Sequence, residues 1–275
     1  MGIRRPHRTV SPLRLLPLVA LLAAGCAAGG AGTRGGAGTT GAGVAGAAGG
    51  AGAGEGWTAL FNGRDLSGWK IPEGDNGHWK VVDGVIDYDA LSEAPGEKDL
   101  WTERRFQNFV LRLEWRAKQY AGRYPVPTVL ADGSEQTDAA GKVILTERPN
   151  FDSGVYLRGS SKSQVNLWGW PVGSGEVYGY RTDPAMPAAV RAGVTPKVAA
   201  DRPVGEWNRM EITMRGDRLT VVLNGQTVIA NAELPGVPAS GPIGLQHHGG
   251  RNPDGTLTGA SSLVQFRNLD IRELP

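Results

Sequence analysis

The chain has 275 residues and a single cysteine, Cys26. No disulfide framework can form within it, so a packed core must hold the fold together. It has only four histidines, at positions 7, 78, 247 and 248, which leaves little material for a histidine-rich metal centre. No apolar run approaches the roughly 20 residues that a membrane-spanning helix requires. Positive charge is also lacking. Four of the 29 Lys and Arg residues fall within the first 25 positions, which hold none of the 27 Asp and Glu. The rest of the chain therefore carries 25 basic and 27 acidic residues, a formal net charge of −2. That balance excludes a nucleic-acid binder, which needs a basic face. No long amphipathic helical pattern occurs; MPAAVRAG has room for one or two turns.

The N-terminus does carry a signal. Arg4, Arg5, Arg8 and Arg14 make a basic leader, and 15–25 is apolar and ends in small residues, as a signal h-region does. Cys26 follows in LLAAGC, which resembles a bacterial lipobox, although Ala23 stands where a larger aliphatic residue is more usual. We expect a lipoprotein signal over 1–25 and acylation of Cys26. That would anchor an exported protein in a membrane facing the periplasm or cell surface. Residues 26–56 are almost entirely Gly, Ala and Thr and cannot build a core, so they read as a flexible tether. Such a segment spans on the order of 30 Å.

The remainder, 57–274, reads as one β domain. In FVLRLEWR, Phe109, Leu111, Leu113 and Trp115 alternate with Val110, Arg112, Glu114 and Arg116. Met210, Ile212 and Met214 alternate with Arg209, Glu211 and Thr213. Period two marks strands with one buried face. Asn224-Gly225 between two apolar runs is a hairpin signal. VQFRNLDI changes phase at Arg267-Asn268, which predicts a bulge. Many short strands without helices predict an all-β fold, a two-sheet antiparallel jelly-roll sandwich. Residues 120–149 carry three prolines and little periodicity, and read as a long insertion between strands.

WTALFNGRDLSGW, WKVVDGVI, DLWTERRFQNFVLRLEWR, DSGVYLRG, VGEWNRMEITMRGDRLTVVLNG, GPIGLQHHG and VQFRNLDIREL occur in that order. Together they resemble the 3-keto-disaccharide hydrolase family, over essentially all of 57–274. The resemblance implies a concanavalin A-like sandwich, a periplasmic or surface location, and action on glycosides whose C3 hydroxyl has been oxidised to a ketone. Two stretches depart from the family pattern, the 120–149 insertion and QVNLWGWPVGSGEVYG.

The second departure holds the densest set of candidate residues. Gln164, Asn166 and Trp168 share one face of a predicted strand, opposite Val165 and Leu167, and Trp170 follows the turn at Gly169. Aromatic rings stack on the C–H faces of sugars and planar amides bind their hydroxyls, so this face predicts a carbohydrate platform. Glu176 is the leading candidate general base, with Tyr178 and Tyr180 at strand spacing beside it. Tyr156 and Arg158 alternate with Val155 and Leu157, and Arg158 is a candidate enolate stabiliser whose other reading is a structural ion pair. Gln246 and His248 alternate with Leu245 and His247. Gln246 is a candidate sugar contact, and His248 suits acid–base work or metal ligation. Asp152 reads as a turn former, and NPDGTLTG (252–259) as a turn rather than a calcium loop. Trp57, Trp69, Trp79 and Trp101 read as core, and Trp207 as core or rim.

A ketone at C3 acidifies the C2 hydrogen. Cleavage can then proceed by proton abstraction, elimination of the C1 substituent and hydration. This route needs a base such as Glu176 and an enolate stabiliser, either Arg158 or a divalent metal. A non-catalytic carbohydrate-binding module would use the aromatics and amides without Glu176 or His248, and stands as the alternative.

Overall fold

The computed structural model describes residues 56–275, apart from 121, 251 and 259. The expected signal, the tether up to residue 55 and Cys26 lie outside the described residues. In chain order the first strands are β1 (Thr58–Ala59), β2 (Trp69–Lys70), β3 (Lys80–Val82), β4 (Val85–Asp87), β5 (Leu100–Thr102) and β6 (Phe109–Ala117). Next come β7 (Arg123–Pro127), β8 (Leu145–Pro149), β9 (Asp152–Leu157) and β10 (Ser160–Trp168). Two short helices follow, α1 (Tyr178–Arg181) and α2 (Ala188–Gly193). The chain ends with β11 (Asn208–Arg215), β12 (Arg218–Leu223), β13 (Gln226–Glu233), β14 (Gly244–Leu245) and β15 (Val264–Glu273).

One sheet runs β13-β12-β11-β6-β15-β4-β3, with β1 also paired to β15. The other runs β10-β9-β14-β5-β2. Both are antiparallel. This is the expected jelly-roll sandwich of concanavalin A type. Phe109, Leu111, Leu113 and Trp115 of β6 and Met210, Ile212 and Met214 of β11 are buried, and they meet Val155, Leu157, Val165 and Leu167 of the second sheet in one core. The alternation of apolar and polar residues therefore sets which face of each strand turns inward.

The local signals hold. Asn224 (φ 51°) and Gly225 (φ 83°) both take positive φ between β12 and β13, as a type I′ hairpin demands. The β15 register slips between Arg267 and Asp270, with Asn268 at φ 52°. MPAAVRAG gives the short α2. Within 252–259, residues 252–256 form a turn closed by hydrogen bonds from Gly255 N to Asn252 O and from Asn252 N to Thr256 O.

Three expectations change. The insertion is an ordered arm: β7 and β8 pair only with each other, and bridges Val129–Glu135 and Thr137–Val143 extend the hairpin. Trp69 and Trp79 are core, but Trp57 is not. It lies on the outer face of the large sheet, with the Arg112 and Arg272 guanidinium groups 4.1 and 5.0 Å from its ring. Trp207 is its counterpart between Arg116 and Arg267, a rim position. Trp101 is also outside the core, on the face described next.

Candidate active site

The register of the smaller sheet gathers one set of side chains on the face turned away from the core. Gln164, Asn166 and Trp168 of β10 lie opposite Tyr156, Gly154 and Asp152 of β9. Gly244 of β14 pairs with both Tyr156 and Trp101. Gln246 continues β14 by donating its N–H to Gly154 O at 2.9 Å. Since Val155, Leu157, Val165 and Leu167 point into the core, their neighbours must point out. The two glycines make this face passable. A Cβ at Gly154 would lie 2.1 Å from Gln164 Nε2, and one at Gly244 would lie 2.7 Å from the Trp101 ring. The amide and the indole can thus lie flat across the sheet.

Asp99, just before β5 and two residues from Trp101, belongs to the same face. It accepts a hydrogen bond from His247 N at 2.6 Å. Beside it Trp101 stacks on Tyr156, with centroids 5.2 Å apart and planes 14° from parallel. The Gln164 amide donates to the Gln246 side-chain oxygen. Burial pushes the Asp99 carboxyl up to about 7; the His247 N–H and the Tyr156 hydroxyl oppose that, and nearby Glu97 reinforces it. Burial and the charge of Asp99 also raise Tyr156, which stays protonated as a donor at neutral pH. His247 is held down at about 4, chiefly by burial, and bonds through Nδ1 to the Tyr88 hydroxyl. A carboxylate near neutrality, half-open among aromatic rings and amides, has the attributes of a general base.

His248 follows His247 and is half-buried. Its backbone N–H donates to Ser262 Oγ at 2.8 Å, and the same hydroxyl donates to Asp152 O at 2.6 Å. Nδ1 lies 2.8 Å from Ala260 O. A carbonyl only accepts, so Nδ1 carries the proton and Nε2 is left for proton transfer.

Several predicted site residues sit elsewhere. Glu176 is fully buried and paired with the Arg181 side chain, itself 3% exposed. Burial raises its carboxyl to about 7 against the pull of Arg181. Glu176, Tyr178 and Tyr180 do not share a strand face, because the chain coils into α1. Tyr178 is exposed and meets Trp168 and Trp170 edge-on at 6.0 and 6.1 Å. Tyr180 is buried and donates to Pro235 O at 3.2 Å. Trp168 is also buried, its indole N–H on Gly173 O at 3.0 Å, and it stacks on Trp170 at 4.2 Å. The accessible platform is therefore Trp170 with Tyr178. Asn166 donates to Glu176 O at 3.1 Å and fastens the following loop.

Arg158 leaves the site altogether. The chain turns at Arg158 (φ 53°), which ends the alternation, and the guanidinium donates to Gly216 O at 2.7 Å and Pro238 O at 3.1 Å. It ties loops together. Asp152 is not a turn former; it opens β9, its side chain is buried, and burial and the charge of Glu176 push its carboxyl well up. Sequence reasoning missed Asp99, Trp101 and Arg181. Among the described residues, no three His, Cys, Asp or Glu side chains converge in a way that could hold a metal ion.

A lectin-like sandwich with aromatic rings, amides and a carboxylate on one sheet face is a carbohydrate-active architecture. The model of the 3-keto-alpha-glucoside-1,2-lyase-like domain matches residues 56–272, and the chain belongs to that family. A "putative glycosyl hydrolase" from Parabacteroides distasonis shares the fold at 23% identity and a TM-score of 0.51, over 80% of this chain and 84% of that one. A second so described, from the same organism, aligns at 19% identity and a TM-score of 0.48, over 80% and 95%. No curated protein matches the chain.

Proposed function

We propose that the domain cleaves 3-keto-glycosides, with Asp99 as the base that removes the C2 proton. The observation that carries this reading is the half-open Asp99 carboxyl, raised to about 7 and set beside Trp101, Tyr156 and the His247 N–H. A single base near neutrality suits proton abstraction beside a ketone, whereas direct glycoside hydrolysis needs two carboxylates across the bond. The C2–H bond breaks and its proton passes to Asp99. The electron pair moves into an enolate, whose oxygen takes a hydrogen bond from a neutral donor; protonated Tyr156 is the one beside Asp99. When the pair returns, the C3 ketone re-forms, a C1–C2 double bond appears and the C1–O bond breaks. The departing oxygen takes up a proton relayed by His248 from solvent. Addition of water to the unsaturated product completes net hydrolysis.

The sugar lies against Trp101 and the Gln164 and Gln246 amides, with Trp170 and Tyr178 at the far end of the face. Glu176 supports the site through Arg181 and does not reach the reacting carbon. The test is incubation of the purified chain with a 3-keto-disaccharide and its unoxidised parent. The proposal expects turnover of the ketone only; binding of both without turnover of either would favour the non-catalytic module. We also propose that the protein is an exported lipoprotein held through Cys26. Cys26→Ser should move it from the membrane fraction to the soluble fraction, and an unchanged distribution would refute the anchor.

A further inference from the structure

Two aromatic rings of the core reach the neighbours of Asp99 from the opposite sheet. Trp79 stands just before β3 and Tyr88 just after β4. The Tyr88 backbone N–H donates to Val264 O at 3.2 Å and so extends the pairing of β4 with β15. The Trp79 backbone N–H donates to Asp75 Oδ2 at 2.8 Å. The two rings lie face to face, with centroids 3.8 Å apart and planes 7° from parallel. Trp79 is 2% exposed and Tyr88 is fully buried. Close-packed interiors leave such a pair no room to slide, so the stack acts as one rigid body.

The polar atoms of this stack hold the chain on both sides of Asp99. The Trp79 indole N–H donates at 2.9 Å to Lys98 O, the carbonyl immediately before Asp99. The Tyr88 hydroxyl bonds to His247 Nδ1, and the two rings meet edge-on with centroids 5.5 Å apart. The backbone N–H of that same His247 is the donor on Asp99 Oδ1. Charge fixes the direction of the Tyr88–His247 bond. Burial keeps Tyr88 protonated, and the charges of Asp75, Asp89 and Asp99 act the same way, against the Ser92 backbone. His247 stays neutral through burial and the charges of Lys98 and His248, against Asp75 and the Gly249 backbone. A protonated phenol therefore donates to a neutral imidazole. One rigid body thus fixes both the backbone that carries the carboxyl and the residue that aims it.

We propose that the Trp79–Tyr88 stack positions Asp99 for proton abstraction, with Tyr88 acting through His247 to hold the hydrogen bond on Oδ1. This rests on the reading of the domain as a keto-glycoside-cleaving enzyme with Asp99 as its base. Tyr88 touches no reacting atom and acts by positioning. A misplacement of about 1 Å can cost on the order of 10²-fold in rate, so a loosened His247 N–H lowers kcat. It also changes the ionisation of Asp99. The His247 N–H favours the carboxylate and, with the Tyr156 hydroxyl, works against burial and Glu97. Weakening that donor leaves burial, Glu97 and Tyr156 in place, so the carboxyl titrates at higher pH.

The experiment is Tyr88→Phe, which keeps a ring stacked on Trp79 and removes one hydroxyl. On a 3-keto-disaccharide, kcat should fall by ~10-fold with KM within about 2-fold of wild type. The midpoint of the rise in kcat/KM with pH should move up by about 0.5 or more. Ile212→Ala is the control for a core that is merely loosened, and its midpoint should stay at the wild-type value. His247→Asn, whose amide oxygen stands in for Nδ1, should lie nearer the wild-type midpoint than His247→Leu, which offers no acceptor. This pair keeps the test decisive if Tyr88→Phe does not fold, and equal midpoints for the two would then overturn the proposal. A folded Tyr88→Phe with wild-type kcat and midpoint would overturn it, as would a fall in kcat with an unmoved midpoint. A wild type that turns over no 3-keto-disaccharide would instead overturn the enzyme reading, and the positioning role with it.

Discussion

Asp99→Asn is the perturbation that separates catalysis from binding at this site. The substitution keeps the size and planarity of the side chain. Its oxygen can still accept the His247 N–H, now 2.6 Å away, so the turn before β5 should survive. What disappears is the capacity to take a proton. General-base catalysis contributes about 10²–10⁴-fold, and kcat on a 3-keto-disaccharide should fall by that factor with KM nearly unchanged. The variant should be no less stable at pH 8, because burial raises the native carboxyl to about 7 and so penalises its ionised form. The assay is product formation at saturating substrate, with a thermal melt as the control. A variant that folds and retains full kcat would remove Asp99 from the mechanism and transfer the proton abstraction to His248.

Glu176→Gln should act through stability. Breaking a buried pair strands the Arg181 charge at a cost of about 3–5 kcal/mol, read as a lower denaturation midpoint; a change within ~0.5 kcal/mol would mean the pair is not sealed from water. Activity should rise with pH through about 7 as Asp99 ionises, and a flat kcat/KM profile from pH 5.5 to 8 would contradict its role. Stability should move the other way. A carboxyl whose folded pKa exceeds its unfolded value binds more protons in the native state, so its contribution falls as pH rises from about 4 to about 7. His247, held down at about 4, opposes this only below its ordinary value of 6.5. The melting temperature should therefore be higher at pH 6.5 than at pH 8, and the reverse order in a pH series would refute the buried carboxyls. Ile212→Ala should cost about 2–5 kcal/mol in the core, and Thr213→Ala on the other face much less; equal costs by chemical denaturation would invert the assigned faces.

The sandwich was legible in the sequence because one-sided burial imposes period two on β6 and β11. Asn224-Gly225 marked the hairpin and Arg267-Asn268 the bulge in advance. The site was half legible. Gln164, Trp170, Gln246 and His248 do gather on or beside one face, since strand parity fixes direction. Arg158 failed because the strand ends at Leu157, and parity says nothing once the backbone turns. The shared strand face expected of Glu176, Tyr178 and Tyr180 failed because a four-residue helix is too short to print its own period, and spacing of two fits a coil as well as a strand. Asp99 was invisible for another reason. It reaches Tyr156 and His247 only because β14 pairs with both β5 and β9, strands far apart in the chain, and no local pattern encodes that pairing.

The central claim is that cleavage begins with removal of the C2 hydrogen, and the most direct measurement follows that hydrogen. A 3-keto-disaccharide deuterated at C2 is turned over by the wild-type chain in ordinary water, and label is assayed by mass spectrometry in product and remaining substrate. The account predicts loss of deuterium from the cleaved ketosugar, and none of that loss with Asp99→Asn. A cleaved product that keeps its full C2 label would contradict it.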